Sequence, residues 1–186
     1  FTTVTFGTTT NVMRVAKLKP DLSLDTAFAI GTNGPNNTVN ALAADEAGGV
    51  YAGGTFTNVG GTAVNYMARI NKDGVRVAGF TSPLAINQTV NGLLRRPDGQ
   101  VYVGSAGNAP QGGFGTLLCN ANGGKINTFT VPSTFLGLVL AEKFRLLSDG
   151  SLLVSGNGGN PQGYLRRLNA NTGENITDYS SLLPNR

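Results

Sequence analysis

Residues 50–80 read VYAGGTFTNVGGTAVNYMARINKDGVRVAGF, and the rest of the chain repeats the parts of this stretch. It opens with a short apolar run that ends in Gly53-Gly54, as is typical of a buried strand lying close to another backbone. Residues 55–62 are polar and rich in glycine, so they predict a loop. Residues 66–71 alternate with a period of two, which predicts a half-buried strand.

A tight turn follows at Asp73-Gly74, because aspartate tolerates the left-handed region and glycine has no Cβ to clash. Residues 75–80 then predict the second strand of a hairpin. Upstream, residues 38–44 predict another strand, which is closed by a turn at Gly48-Gly49. The sequence therefore predicts a unit of four short antiparallel strands.

This unit recurs along the chain. A shift of 51 residues places Gly48 on Gly99 and Val50-Tyr51 on Val101-Tyr102. The positions that we expect to point inward from the third strands are Leu18, Ile70, Cys119 and Leu168. The aromatic residues that close the units are Phe28, Phe80, Phe129 and Tyr179, at spacings of 52, 49 and 50 residues. A four-strand unit with this period is typical of a β-propeller blade or a related β-array.

The predicted fold is therefore all-β: a β-propeller-type array of four-stranded antiparallel blades, with about 3.7 repeats of ~50 residues. Residues 1–32 predict a partial blade holding strands two to four. Residues 33–82 and 83–132 predict one blade each, and 133–186 predict a blade that ends at the linker to a missing unit. Since propellers commonly use roughly four to eight blades, we expect a part of a larger propeller or array. The alternative is a closed ring whose ends pair across a seam.

Residues 54–74 (GTFTNVGGTAVNYMARINKDG) resemble the delta-60 repeat family. Its usual pattern is a VGG-F-T run, a short glycine loop, an R-N-x-I-A-R-L-N strand and D-G-S-L-D-x-x-F; residues 21–28 (DLSLDTAF) resemble the last part. The best match covers residues 38–80, while 89–129 and 140–179 are degenerate. The resemblance implies a propeller-like fold, common in long secreted or surface proteins, and implies no catalytic residues.

Composition narrows the class of function. The chain has 186 residues, with 27 glycines and neither tryptophan nor histidine. Charged residues make up 13%, against about 25% in ordinary soluble proteins. Such a turn-rich chain with a neutral polar surface is typical of extracellular and virion fibre proteins. No segment approaches the ~18 apolar residues of a membrane span, so we expect no membrane insertion.

Few residues suggest catalysis or cofactor binding. The lack of histidine removes the usual general base and metal ligand, and no calcium-loop or phosphate-loop pattern occurs. The basic pairs Arg95-Arg96 and Arg166-Arg167 flank strands and predict solvated side chains rather than a nucleic-acid site. Four acids are turn residues by position: Asp21, Asp73, Asp98 and Asp149. We therefore predict no enzyme, no catalytic, metal or cofactor-binding residues, no cofactor and no nucleic-acid partner.

Cys119 is the single cysteine, and its place on a third strand predicts a small buried hydrophobic residue rather than a reactive thiol. Asn36, Asn87 and Asn175 each begin an N-x-T sequon. Such sequons arise by chance in a chain rich in glycine, asparagine and threonine, so they predict a glycan only if the source is eukaryotic.

The sequence thus predicts a non-catalytic structural or interaction module of an extracellular or phage-virion surface protein, of tail-fibre, appendage or secreted-adhesin type. Its partners would be other protein chains or further repeats of the same chain, with surface glycan a further option. Residues 55–64, 106–113 and 157–162 join second to third strands and differ in length. Variable loops on a rigid scaffold suit recognition, so we expect contacts there.

The alternative is a propeller that binds or cleaves carbohydrate on the blade-loop face. Sugar sites favour exposed aromatic rings and, for cleavage, paired carboxylates. Tyr51, Tyr66 and Tyr102 are the candidate residues. Tyr51 and Tyr102 recur at equivalent strand positions, which favours packing for these two.

Overall fold

The structure is a computed structural model that describes residues 3–6, 10–28, 30, 33–84, 88–106, 115–132, 140–157 and 164–178. These residues form fourteen β-strands, and every strand pairing among them is antiparallel. No helix in the described part of the chain is long and apolar enough to cross a membrane. The strands are β1 Thr3–Phe6, β2 Thr10–Met13, β3 Val39–Ala44, β4 Val50–Gly54, β5 Asn58–Val59, β6 Thr62–Ala63, β7 Met67–Ile70, β8 Thr89–Arg95, β9 Val101–Ala106, β10 Thr116–Cys119, β11 Leu140–Leu146, β12 Ser151–Asn157, β13 Tyr164–Asn169 and β14 Asn175–Asp178.

We call residues 1–32, 33–82, 83–132 and 133–186 units 1 to 4. Unit 2 holds the sheet β3-β4-β7, unit 3 holds β8-β9-β10, and unit 4 holds β11 to β14. The sheets of units 3 and 4 are joined by a single pair, Leu140 with Ala106. The same register recurs in units 2 to 4, since the first strand of each carries a bulge, at Asn40, Asn91 and Glu142 respectively.

The predicted fourth strand is present in unit 4 alone among the described residues, where β14 pairs with β13. In units 1 to 3 it shrinks to isolated bridges: Leu18 with Leu24, Ile70 with Arg76, and Cys119 with Lys125. The prediction of four strands in every blade is therefore wrong for these units. The reason is a turn just after each bridge. In unit 2 the Phe80 N–H donates to the Val77 carbonyl at 3.2 Å, and the Ile126–Phe129 bond of unit 3 has the same length.

Unit 1 also differs from the sequence-based prediction that it holds strands two to four of a blade. The hairpin β1-β2 precedes residues 15–18 in the chain, as the hairpin β5-β6 precedes β7 in unit 2. Residues 15–18 form no strand, and the Leu18 side chain is 49% exposed. No described segment pairs with residues 15–18 as β4 pairs with β7. The predicted burial of Leu18 is therefore wrong.

The other inward positions are buried as predicted: Ile70, Cys119 and Leu168 are 0–2% exposed. The closing aromatics Phe28, Phe80 and Phe129 are also buried, whereas Tyr179 lies outside the described residues. The turns after the bridges carry these rings into the core. Phe80 packs edge-on against Tyr51 at 5.8 Å between ring centres.

The core lies between successive units rather than inside any one of them. One cluster joins unit 1 to unit 2, through residues such as Val15 and Phe28 on one side and Phe56 and Ile70 on the other. A second joins unit 2 to unit 3, and a third joins unit 3 to unit 4. The sheets of units 2 and 3 each lie between two neighbouring units, so burial of both faces of these sheets requires both neighbours.

The segment predicted as a loop at residues 55–62 contains β5 and part of β6, and it is anchored. Phe56 and Val59 are buried in the cluster between units 1 and 2. This segment is therefore part of the scaffold rather than the freely variable loop that its polar composition predicted. Residues 107–113 and 158–162 of the other two loops lie outside the described residues.

Truncating Ile70 to alanine should lower the free energy of unfolding by about 2–5 kcal/mol, because it opens a cavity between units 1 and 2. Leu18 holds the equivalent position but is half exposed. Leu18→Ala, the matched control, should cost less than about 1 kcal/mol. Urea unfolding measures both. Equal losses for the two variants would contradict this packing.

Candidate functional site

Two buried tyrosines connect neighbouring units. The Tyr51 hydroxyl of unit 2 donates to the Ala121 carbonyl of unit 3 at 3.1 Å. The Tyr102 hydroxyl of unit 3 donates to the Ala170 carbonyl of unit 4 at 2.6 Å. Burial raises the pKa of both hydroxyls. Both rings are almost fully buried, so neither offers a stacking surface for a sugar. Tyr51 and Tyr102 are therefore no longer candidates for a carbohydrate site.

Backbone bonds reinforce each of these junctions. The Thr81 N–H donates to the Asn122 carbonyl at 3.0 Å, and the Thr130 N–H to the Thr172 carbonyl at 2.8 Å. The turns that accept these bonds are held by an asparagine side chain. Asn120 Oδ1 accepts from two backbone N–H groups at 2.9 Å each. We call the tyrosine bond and the threonine bond together the unit junction.

The acids predicted as turn residues mostly act as such. Asp21 Oδ1 accepts from the backbone N–H of Ser23 at 2.9 Å and from its hydroxyl at 2.6 Å. Asp149 Oδ1 makes the same two bonds with Ser151. These hydrogen bonds lower the pKa of both carboxyls. In the turn at residues 71–74, however, Asn71 rather than Asp73 accepts the backbone N–H groups.

Sequence reasoning missed the pair of Asp45 with Arg69. Asp45 Oδ2 accepts from Arg69 Nε at 2.8 Å and from Nη2 at 2.6 Å. Burial alone would raise the pKa of Asp45, yet these bonds and one from the Ala47 N–H outweigh it and hold the pKa below its usual value. Asp45 and Arg69 are far apart in sequence, and only the pairing of strands within the sheet brings them together.

The basic pairs also differ from the prediction that they are solvated. Arg95 pairs with Glu46 at 2.7 Å. Arg96 donates to the Ala170 carbonyl at 3.0 Å and to Asn171 at 2.9 Å, so it lies beside the unit junction formed by Tyr102. Arg166 is buried. Within the described ranges, no group of three or more acidic, histidine or cysteine side chains is placed to hold a metal ion.

The outer side of unit 4 is the first candidate surface. The registers align Arg145-Leu153-Arg167 with Leu94-Tyr102-Leu118 and Ala43-Tyr51-Arg69. In units 2 and 3 these rows face the next unit. In unit 4, Arg145 is exposed and Leu153 is partly exposed. Ile176 is 48% exposed, although its equivalents Val77 and Ile126 pack in the clusters. We call Arg145, Leu153, Arg167 and Ile176 the unit 4 face.

A cleft of about 310 Å³ on unit 2 is the second candidate surface. It lies between β7, the end of the β5-β6 hairpin and the segment after the Arg76 bridge. We call it the rim cleft. Its lining is Ala63, Val64, Asn65, Met67, Ala68, Arg76, Val77, Ala78, Phe80, Thr81 and Ser82.

Comparison with known proteins supports a β-propeller repeat. Residues 48–76 match the family described as a β-propeller domain of unknown function, DUF5122. This match supports a propeller-type repeat in that segment without singling out the delta-60 family. A search of curated proteins finds no similar sequence.

Solved structures include a similar one, a protein of unknown function from Bacteroides caccae. The alignment has 15% sequence identity and a TM-score of 0.44, and covers 73% of this chain. The chain corresponds to 43% of the length of that protein.

Cys119 should be inert in the folded protein. Burial raises the pKa of its thiol from 9.0 to about 12. As the pH rises, the thiol therefore ionises at a lower pH in the unfolded chain than in the folded protein. The stability that this thiol contributes is complete below pH 9.0 and is lost as the pH rises toward about 12. Iodoacetamide at pH 9 should label Cys119 in urea and scarcely in buffer. The variant Cys119→Val should lose less stability over this pH range; fast labelling of the folded protein would contradict the burial.

Proposed function

We propose that this chain is a non-catalytic β-propeller-type repeat module that serves as a structural and interaction part of an extracellular or virion surface protein. We further propose that the chain divides into blades at residues 1–32, 33–82, 83–132 and 133–186. These blades would be part of a larger propeller or array. The proposal also includes membership of the delta-60 family. Two motif positions support that assignment, since Asn71 holds its turn and Phe80 closes the core.

The unit 4 face is the observation that carries the proposal. In units 2 and 3, the residues at these positions pack against the next unit. In unit 4 the same positions hold apolar or basic residues that are partly or fully exposed. A rigid layer with such a face suits docking of another layer, as in repeat proteins whose units contact only their neighbours. The partner that this favours is a further unit of the same kind.

The placement of charge supports a role without catalysis. Asp45, Glu46, Asp98 and Asp149 each pair with an arginine of the scaffold. The lowered pKa values of Asp45 and Asp149 favour the ionised form, whereas a general acid needs a raised value. The low charge and high glycine content support an extracellular or virion setting.

Head-to-tail association of two copies tests the proposal. The unit 4 face would dock on the opposite side of the array, where Leu18 and Leu42 are 49% and 50% exposed. Sedimentation velocity over a concentration series should show association of the purified chain. Ile176→Asp and Leu42→Asp should each abolish it, because a charge would be buried unpaired. The control Leu22→Asp, at a 76% exposed turn position, should associate like the parent.

A mixture separates this arrangement from a symmetric dimer. Each aspartate variant keeps one intact face, so a mixture of the two variants should form dimers and nothing larger, as a heterologous contact requires. Association that survives both substitutions would contradict the proposal. So would hydrolysis of a polysaccharide by the chain at a rate abolished by a single Asp-to-Asn change.

A further inference from the structure

We propose that the rim cleft of unit 2 binds a carboxylate group attached to a small apolar body. The cleft exists because the fourth strand is missing here. After Arg76 bridges to Ile70, the chain turns. The edge of β7 that faces away from β4 therefore has no described strand beside Met67. In unit 4, β14 covers more of the equivalent edge, since Thr177 and Asp178 pair with Arg167 and Arg166 of β13.

The walls of the cleft are tied together. The Ser82 hydroxyl donates to the Asn65 carbonyl and accepts from the Leu84 N–H at 3.3 Å. The Asn65 amide donates to the Leu84 carbonyl, also at 3.3 Å. These bonds connect the end of the β5-β6 hairpin to the segment after the turn. The cleft is thus a formed site, and a ligand would spend little free energy in ordering it.

Arg76 gives the cleft its charge. Arg69, Arg95, Arg96 and Arg167 each pair with an acid. Arg76 forms no ion pair with any described residue, and its hydrogen bond is a long one of 3.4 Å to the carbonyl of the adjacent Val77. The lining contains no acidic side chain. The partly buried Arg76 therefore has guanidinium donors available, and no acidic side chain stands among the described residues that line the cleft.

These properties define the ligand. A guanidinium presents a planar fork of donors that matches a carboxylate with two parallel hydrogen bonds. Val64 and Val77 of the same lining are partly exposed and supply apolar surface, to which the 6% exposed Phe80 adds. The volume of about 310 Å³ is at the lower end for ligand pockets, so the apolar body is the size of one or two side chains. The C-terminus of a peptide and a small organic acid share this chemistry.

The inference goes beyond the proposed function and does not depend on it. The rim cleft belongs to the outer edge of unit 2, whereas the unit 4 face is on a different unit. Variants of the cleft leave Ile176 and Leu42 intact, so loss of carboxylate binding and loss of self-association are separate outcomes.

The test is a titration of the full chain followed by backbone amide NMR shifts. The probes are N-acetyl-leucyl-phenylalanine, the same dipeptide with a C-terminal amide, and phenylbutyrate. For ligands of this size we expect a Kd of about 1 mM for the carboxylates. The largest shifts should occur at Asn65, Val77 and Ser82. The amide should bind about tenfold more weakly, because it cannot pair with the guanidinium.

Matched variants assign the effect to Arg76. Arg76→Gln should weaken both carboxylates about tenfold while the spectrum stays that of the folded chain. The control Lys72→Gln removes an exposed cation from the turn just before Arg76, where Lys72 pairs with Asp73. This variant should leave carboxylate binding unchanged. Val64→Ser should weaken both carboxylates through the loss of apolar contact. Tighter binding of the dipeptide than of phenylbutyrate would identify a peptide C-terminus, and equal binding a small organic acid.

Three results would overturn the inference. The first is binding of the amide as tight as that of the free dipeptide. The second is an equal loss of binding in Lys72→Gln and Arg76→Gln, which would indicate attraction to net charge. The third is the lack of saturable shifts at the cleft amides with either carboxylate.

Discussion

The structure depends on burial between neighbouring units, closed by a tyrosine hydroxyl that binds the turn of the next unit. A single repeat unit of three or four short strands cannot bury its hydrophobic face alone. Stacking covers both faces of the sheets of units 2 and 3. The tyrosines fill the interface, and because a buried hydroxyl without a partner is costly, the bonds to Ala121 and Ala170 fix the position of one unit on the next.

This dependence explains how one repeated pattern yields different surfaces. The row that reads Ala43-Tyr51-Arg69 in unit 2 becomes Arg145-Leu153-Arg167 in unit 4, in the same register. Replacing the tyrosine by Leu153 removes the hydroxyl of the unit junction, and Arg145 brings a charge to a position that is apolar in units 2 and 3. Unit 4 therefore keeps the geometry of a docking face but changes its chemistry. The loss of the fourth strand in unit 2 likewise turns an ordinary sheet edge into the rim cleft.

The sequence alone predicted burial correctly where the pattern of apolar residues is local and periodic. Ile70, Cys119 and Leu168 are buried because alternation and spacing place them on one side of their strands. The missed features depend on tertiary contacts. The turn before Phe80 ends the fourth strand so that the ring can reach Tyr51, which hydrophobic alternation alone could not reveal. Leu18 fits the repeat, but no described segment pairs with residues 15–18 as β4 pairs with β7. The partners Asp45 and Arg69 meet only through strand register.

The most direct measurement compares two glycine-to-alanine variants by urea unfolding. Gly123 and Gly150 both have positive φ, at 88° and 78°. A Cβ at Gly123 would overlap the Thr81 carbonyl at a unit junction, whereas a Cβ at Gly150 meets nothing within 4 Å. Gly150→Ala should cost only the backbone strain, about 1–2 kcal/mol. Gly123→Ala should cost about 2 kcal/mol more, because it forces units 2 and 3 apart. Equal losses would contradict the view that contacts between units hold the fold together.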